Sequence, residues 1–116
     1  MLFRSLVVVV DDSETLQDTP VERVQLTLLR PGAPGAAVVL LAGSTAEMAA
    51  SFRGLSVAAR RGGAGLVLGA VGAADGDLLG TRVARCDTTW PGRGTLVLRG
   101  RTTAVQIARP SGWMDP

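Results

Sequence analysis

The stretch Leu6-Val7-Val8-Val9-Val10-Asp11-Asp12 decides the fold class of this chain. Four consecutive β-branched valines leave no polar face, which is typical of a parallel strand that helices cover on both sides. The strand then ends abruptly at two carboxylates. Because ligands of open α/β sheets bind beyond the carboxyl ends of the strands, acids in the positions of Asp11 and Asp12 can face a bound metal or phosphate.

The Asp11-Asp12 pair has two interpretations. It matches the Walker B arrangement of P-loop NTPases, in which the first acid helps to hold magnesium and the second positions the attacking water. It also fits a strand that ends in a solvated turn, and the pair taken alone favours this plainer interpretation. The rest of the chain must decide between them.

The basic residues restrict the nucleotide-binding interpretation. All 12 are Arg, and the sequence contains no Lys. A complete P-loop needs a Lys and a glycine-rich loop between strand and helix to hold the phosphates, and neither is present. Since the apolar strand begins near the first residue, we expect the elements that normally precede it to lie outside this chain. The chain is therefore interpreted as the C-terminal part of a nucleotide-binding core.

Two helices are predicted from their capping signals. The run Thr19-Pro20-Val21-Glu22 combines an N-cap, a proline at the first helical position and a glutamate that closes a capping box. The apolar side of this helix is expected to consist of Val21, Val24, Leu28 and Leu29. A second apolar strand at residues 36–42 leads into Gly43-Ser44-Thr45-Ala46-Glu47, where Ser44 is the predicted N-cap of the next helix.

Strands that alternate with helices predict parallel βαβ units, with a third parallel strand at residues 65–69. The pattern then changes, because residues 95–98 and 103–107 alternate around Arg99-Gly100-Arg101-Thr102, which indicates an antiparallel hairpin. The predicted fold class is α/β: a partial RecA-like three-layer αβα core with a mostly parallel sheet and a C-terminal antiparallel hairpin. We predict one domain at residues 1–110 and a tail at 111–116.

The composition gives information on the size of the hydrophobic core and on the cellular compartment of the protein. A length of 116 residues with 47% hydrophobic content allows one core of ordinary size. The single cysteine, Cys86, excludes an internal disulfide and has neither a His nor a second Cys with which to form a nucleophile or a zinc site. No apolar stretch reaches the length of a membrane span, so a cytoplasmic protein without direct membrane insertion is expected.

Five of the arginines are candidate contacts for anions. Arg60 and Arg61 have the charge of an arginine finger, but a solvated helix end explains them as well. Two interpretations also exist for Arg93, Arg99 and Arg101. These residues contact phosphates or a partner chain, or they are ordinary residues of a hairpin.

The successive motifs resemble a known family. The segments VVVVDDSETLQDTPVE, VVLLAGSTAEMAASFRG, ARRGGAGLVLG, DGDLLG and PGRGTLVLRGRTTAVQIA are similar, in order and spacing, to the C-terminal half of an FtsK/SpoIIIE-type ATPase domain. The likeness is greatest to the multi-ATPase proteins that resemble EccC of type VII secretion. This resemblance implies a RecA-like motor that moves DNA or exports proteins, with ATP and Mg²⁺ bound in the intact parent. A parent anchored in a membrane is compatible with it.

The resemblance assigns roles to three residues. Asp11 matches the Walker B acid that orients the water shell of magnesium, and is the expected metal contact. Asp12 stands where many members have the catalytic Glu, and its shorter side chain sets the carboxylate about one carbon back from the water. Ser44 matches a polar sensor of the γ-phosphate, although a plain helix N-cap explains it too. Neither ATP nor Mg²⁺ is expected to bind tightly to this chain alone.

Two functional classes follow. In the first, the chain is the Walker B and sensor portion of a translocating motor, inactive until joined to its Walker A half or parent protein. In the second, it is a nucleotide-free module for interaction or oligomerisation, built on a degenerate RecA-like half-domain. In both classes the apolar strands are expected to be covered by another copy or a partner, so a homo-oligomer is predicted. DNA or a secreted protein would be contacted only through the parent.

Overall fold

The computed structural model describes residues 5–30, 32, 35–86 and 90–112. The chain divides into two compact units, Met1–Gly62 and Gly63–Pro116. The helices and strands of the first unit are β1 (Ser5–Val10), α1 (Pro20–Leu28), β2 (Ala36–Leu41), α2 (Thr45–Ala50) and α3 (Leu55–Arg61), with a 3-10 turn at Ser13–Leu16. Those of the second unit are β3 (Ala64–Leu68), β4 (Arg93–Leu98) and β5 (Arg101–Gln106), with a 3-10 helix at Ala73–Leu79.

The first unit contains the parallel pair that the sequence predicts. β1 and β2 pair in parallel, in a register that runs from Ser5 opposite Ala36 to Val10 opposite Leu41. Helix α1 lies between the two strands in the chain, as a βαβ crossover requires.

The prediction that helices cover both faces of β1 is wrong within the described residues. Side chains alternate along a strand, so the register places four aliphatic side chains on one face of the pair. This bare face consists of Val7, Val9, Val38 and Leu40, which are 53–71% exposed. Val10 lies on the opposite face and is buried. The sheet has only two strands among the described residues, so both strands are edges, and one face stays open.

Helix α1 begins as predicted but turns its other side inward. The Thr19 side chain accepts a hydrogen bond from the Glu22 N–H at 3.4 Å, and Pro20 is the first helical residue. The predicted apolar side is wrong, because the buried residues of the helix are Glu22 and Gln25, while Val24 is 63% exposed.

The Glu22 carboxylate explains this orientation. It accepts hydrogen bonds from the backbone N–H groups of Asp18 at 3.2 Å and Leu55 at 3.4 Å. It therefore joins the start of α1 to the start of α3, and burial of a carboxylate is tolerated because these donors satisfy it. The expected capping box is altered in one respect, since the backbone donor is Asp18 and not Thr19.

The second unit corrects the predicted pairing of the third strand. β3 is not parallel to anything described: it pairs antiparallel with β4, from Ala64 opposite Leu98 to Leu68 opposite Gly94. Val67 is buried whereas Leu66 and Leu68 are exposed, which is the period of a strand covered on one face. The short apolar run concealed this alternation.

The predicted antiparallel hairpin is confirmed, but its turn is shorter than the predicted Arg99-Gly100-Arg101-Thr102, because Arg101 and Thr102 belong to β5. β4 and β5 pair antiparallel around the two-residue turn Arg99-Gly100. Both turn residues have positive φ, 49° for Arg99 and 79° for Gly100, as a type I′ turn requires. Such turns twist with the strands and fix their register.

The core of the second unit lies between its sheet and the connection at residues 69–86. It consists of Val67, Ala70, Val83 and Val97, with Leu79 and Cys86 packed against it. A Cβ atom at Gly65 would lie 2.6 Å from a methyl carbon of Leu79, so glycine at this position leaves room for the Leu79 side chain against β3.

The structure is thus a mixed helix and strand fold with one parallel pair and one antiparallel three-stranded sheet. None of the helices in the described ranges has the length and apolar character needed to cross a membrane. The single domain at 1–110 stays a prediction, and residues 113–116 of the predicted tail lie outside the described residues.

Gly54 provides a test of the Glu22 bridge. A Cβ atom at Gly54 would lie 2.6 Å from both carboxylate oxygens of Glu22, and the residue has φ +83°. We expect Gly54→Ala to lower the free energy of unfolding by about 2–3 kcal/mol, from backbone strain and weakened hydrogen bonds to Glu22.

Gly32→Ala is the control for a positive φ, because Gly32 has φ +82° and no atom of the described residues would lie within 4 Å of a Cβ there. This substitution should lower the free energy of unfolding by roughly 1 kcal/mol, from backbone strain alone. Urea denaturation measures both variants, and equal losses would contradict the role given to Glu22.

Candidate functional site

The candidate site lies at the carboxyl ends of β1 and β2. Because the two strands are parallel and in register, the residues that follow them meet at one edge of the sheet. Pairing continues beyond the strands: Ala42 N–H donates to the Val10 carbonyl at 2.8 Å, and Ser13 N–H donates to the Ala42 carbonyl at 2.9 Å. The structure therefore brings Asp11 and Asp12 to the same edge as Gly43 and Ser44, as the sequence predicts.

Asp11 presents an exposed carboxylate at this edge. Its Oδ1 accepts a hydrogen bond from the Asp12 N–H at 2.9 Å, which orients the side chain over the start of the following turn. An exposed carboxylate held by one backbone donor can contact a magnesium ion through its water shell. The position thus fits the metal contact that the family resemblance implies.

Asp12 forms the turn itself. Its backbone is left-handed, with φ 47° and ψ 52°, which Asp tolerates better than most residues. Its carbonyl accepts from the Thr15 N–H at 2.9 Å and the Thr15 hydroxyl at 2.8 Å, beginning the 3-10 turn. The carboxylate makes no capping hydrogen bond to this turn and is exposed to water, as a group that positions water needs to be.

Ser44 is the N-cap of α2. Its Oγ accepts a hydrogen bond from the Glu47 N–H at 3.2 Å, which confirms the predicted cap. The sensor role stays a prediction, because the hydroxyl already serves the helix and would have to serve a phosphate as well.

Sequence reasoning missed the two glutamates beside these residues. Contact with the Glu14 carboxyl group, first by a hydrogen bond and then by charge repulsion, raises the pKa of Glu47 above its ordinary value of 4.5. Asp12 adds a smaller repulsion, and the Ser44 hydrogen bond acts in the opposite direction.

Glu14 is held tightly against the strand ends. Its Oε2 atom is buried and has no hydrogen-bond partner among the described residues. This oxygen would lie 2.6 Å from a Cβ atom at Gly43, so glycine is what lets the carboxylate reach the backbone there.

The fit of the site to Mg²⁺ and ATP is partial. Across residues 5–30, 35–86 and 90–112, no three Asp, Glu, His or Cys side chains are grouped to hold a metal ion directly. Asp11 fits a contact through water, but the chain has no Lys and no phosphate-binding loop at this edge. The site can thus supply acids to a nucleotide that other residues hold.

The structure gives Arg60 a structural role. Its Nη2 atom donates a hydrogen bond to the Ser51 carbonyl at 2.7 Å, closing the connection between α2 and α3. Arg61 is exposed, as expected for the solvated end of a helix.

Comparison of the chain with family models, curated proteins and solved structures found no match. The function is therefore argued from the fold and from the site.

The acid pair predicts a pH dependence of stability. A carboxyl group with a raised pKa keeps its proton in the folded state after the unfolded chain has released it. The free energy of unfolding should therefore fall as pH rises from about 4.5 through the raised pKa of Glu47. Glu47→Gln should reduce this decrease in the free energy of unfolding. At pH values above the raised pKa of Glu47, the variant should be more stable than the wild type. Urea denaturation at a series of pH values measures both.

Asp77→Asn is the control, since Asp77 is an exposed acid of the second unit outside this site. It should keep the wild-type pH profile. An unchanged profile in Glu47→Gln would show that the two glutamates do not interact.

Proposed function

We propose that this chain is the Walker B and sensor portion of an FtsK/SpoIIIE-like motor that translocates DNA or protein, and that it is not catalytically competent alone. The observation that carries the proposal is the parallel pairing of β1 with β2, with Asp11 and Ser44 at one edge. The two strands would then be part of a RecA-like core whose other strands come from a partner.

The bare face of β1 and β2 supports a missing partner. Parallel sheets are stable when both faces are covered, and two strands alone are marginal. The bare face is entirely aliphatic, and each strand has an unpaired edge among the described residues. The Walker A half of a motor, or the parent protein that contains it, would add strands to these edges and helices to this face.

The roles of the site residues follow from their positions. Magnesium, when bound, neutralises charge on the transferring phosphoryl group. Asp11 would hold the ion's water shell, Asp12 would orient a water molecule, and Ser44 would contact the phosphate. The phosphates themselves must be held by the partner, because this chain has no Lys. We place such a protein in the cytoplasm, where ATP is present.

A second candidate is a nucleotide-free module for interaction or oligomerisation. It is favoured by the Glu14 and Glu47 pair, because two carboxylates beside Ser44 repel a phosphate group. Ser44 also has a complete structural role in capping α2. In this case the same bare face would bind a second copy of the chain.

Nucleotide assays distinguish the two candidates. Alone, the chain should not hydrolyse ATP, and it should bind Mg²⁺-ATP more weakly than about millimolar, since outer-shell contacts leave the phosphates in water. Purified with the polypeptide that completes its sheet, it should hydrolyse ATP, and Asp11→Asn should reduce the rate about 10–100-fold.

An assembly whose stability and ATPase rate are both unaffected by Asp11→Asn would favour the interaction module. Robust hydrolysis by the isolated chain that is lost in Asp11→Ala would contradict the proposal of an incomplete site.

The bare face predicts self-association of the isolated chain. We expect a dimer or larger oligomer in sedimentation velocity, because aliphatic side chains on an open parallel pair are poor solvent contacts. Val9→Glu should shift the population to monomer, since a buried unpaired charge would oppose association.

Val71→Glu is the matched control, because Val71 and Val9 are each 71% exposed but Val71 lies outside the bare face. It should associate as the wild type does. A monomeric wild type over a wide concentration range would rule out self-association through this face.

A further inference from the structure

A pocket in the second unit is not used by the proposed motor or module. It is an open cavity of about 350 Å³ between residues 84–86 and the strands β4 and β5. Its lining includes Arg85, Cys86, Arg93, Thr95, Ala104 and Val105. Its volume is at the lower end of the range for small-molecule sites.

The charge of this pocket is positive. Its lining contains two arginines and no acidic side chain among the described residues. Arg85 makes no ion pair within the described part of the chain, in contrast to Arg53, which pairs with Asp18 at 2.8 Å. An arginine without a counter-charge at a concave site favours an anion.

Arg93 is oriented before any ligand binds. Its Nε atom donates to Gln106 Oε1 at 3.3 Å, and its guanidinium carbon lies 5.6 Å from the centroid of the Trp90 ring. Gln106 is in turn fixed by donating to the Pro91 carbonyl at 2.9 Å. A side chain held in this way loses little conformational entropy when it binds a ligand.

We propose that this pocket binds a small organic oxyanion with an apolar body. The guanidinium groups of Arg85 and Arg93 contact the oxyanion, for which their planar forks are suited. The apolar body lies against Ala104, which is on the same face of the hairpin as Arg93 and Thr95. The Thr95 hydroxyl is a further polar contact. A phosphate monoester and a carboxylate share this chemistry, and the probes below distinguish them.

Cys86 reports on occupancy. It is the only cysteine of the sequence, it is half-buried, and its Sγ lies 3.7 Å from the Arg93 carbonyl oxygen. A ligand between the arginines shields the thiol from a neutral reagent such as iodoacetamide. The rate of alkylation therefore measures binding with no enzymatic activity required.

The experiment titrates the full chain with phenyl phosphate, benzoate, inorganic phosphate and benzyl alcohol, and follows alkylation of Cys86. We expect saturable protection by phenyl phosphate or benzoate, weaker protection by inorganic phosphate and none by benzyl alcohol. The more protective of the two aromatic anions identifies the oxyanion. Isothermal titration calorimetry measures the same affinities without the reagent.

Arg85→Gln should weaken binding about tenfold or more, as expected for loss of a charge-assisted hydrogen bond. Arg93→Lys, which keeps the charge but not the fork, should also weaken it. Arg101→Gln is the control, since Arg101 is an exposed arginine of β5 that does not line the pocket.

Three results would overturn the proposal. They are the absence of saturable protection by either aromatic anion, equal protection by benzyl alcohol, and unchanged affinity in Arg85→Gln. Inorganic phosphate has no apolar body. If it protects Cys86 as strongly as phenyl phosphate does, the ligand makes no apolar contact, and this result would also contradict the proposal.

Discussion

A parallel sheet of two strands cannot cover itself, and the first unit is organised around this constraint. The pairing of β1 with β2 places the acidic residues and Ser44 at one edge. The same pairing leaves Val7, Val9, Val38 and Leu40 on an open face. Site and open face thus have one origin, and a partner that covers the face would also bring its own residues towards the site.

The Glu22 bridge is the second constraint on this unit. Because its carboxylate must reach the N–H of Leu55, helix α1 presents Glu22 and Gln25 inward. Val21 and Val24 then face solvent, against their hydrophobicity. The two terms are of similar size, since an unpaired buried polar group costs about 1–3 kcal/mol and burial of a valine side chain contributes about 1.5–3 kcal/mol.

Local features of the fold were predictable from the sequence, and long-range ones were not. The caps at Thr19 and Ser44 and the turn at Arg99-Gly100 depend on neighbouring residues only, and the structure confirms them. The partner of β3 is β4, which is distant in the chain. The pattern of residues 65–69 is too short to predict this pairing. The inward face of α1 was missed because it depends on Leu55, which is far away in the chain.

The candidate site was likewise predicted only in part. The meeting of Asp11 with Ser44 at one edge follows from parallel strands, and was predicted. The interaction of Glu14 with Glu47 was not, because Glu14 lies four residues after the end of β1 and Glu47 lies six residues after the end of β2. The register of the two strands therefore does not align these positions.

Two tightly packed glycines of the second unit define a pattern for recognising relatives. At Gly65 a side chain would collide with Leu79, and at Gly76 with the Thr81 carbonyl. A larger residue at position 76 requires the backbone of the connection to move, and one at position 65 requires the Leu79 side chain to shift. Homologues too divergent for pairwise alignment should therefore retain these glycines at the same separation, with apolar residues at the positions of Leu79 and Val83.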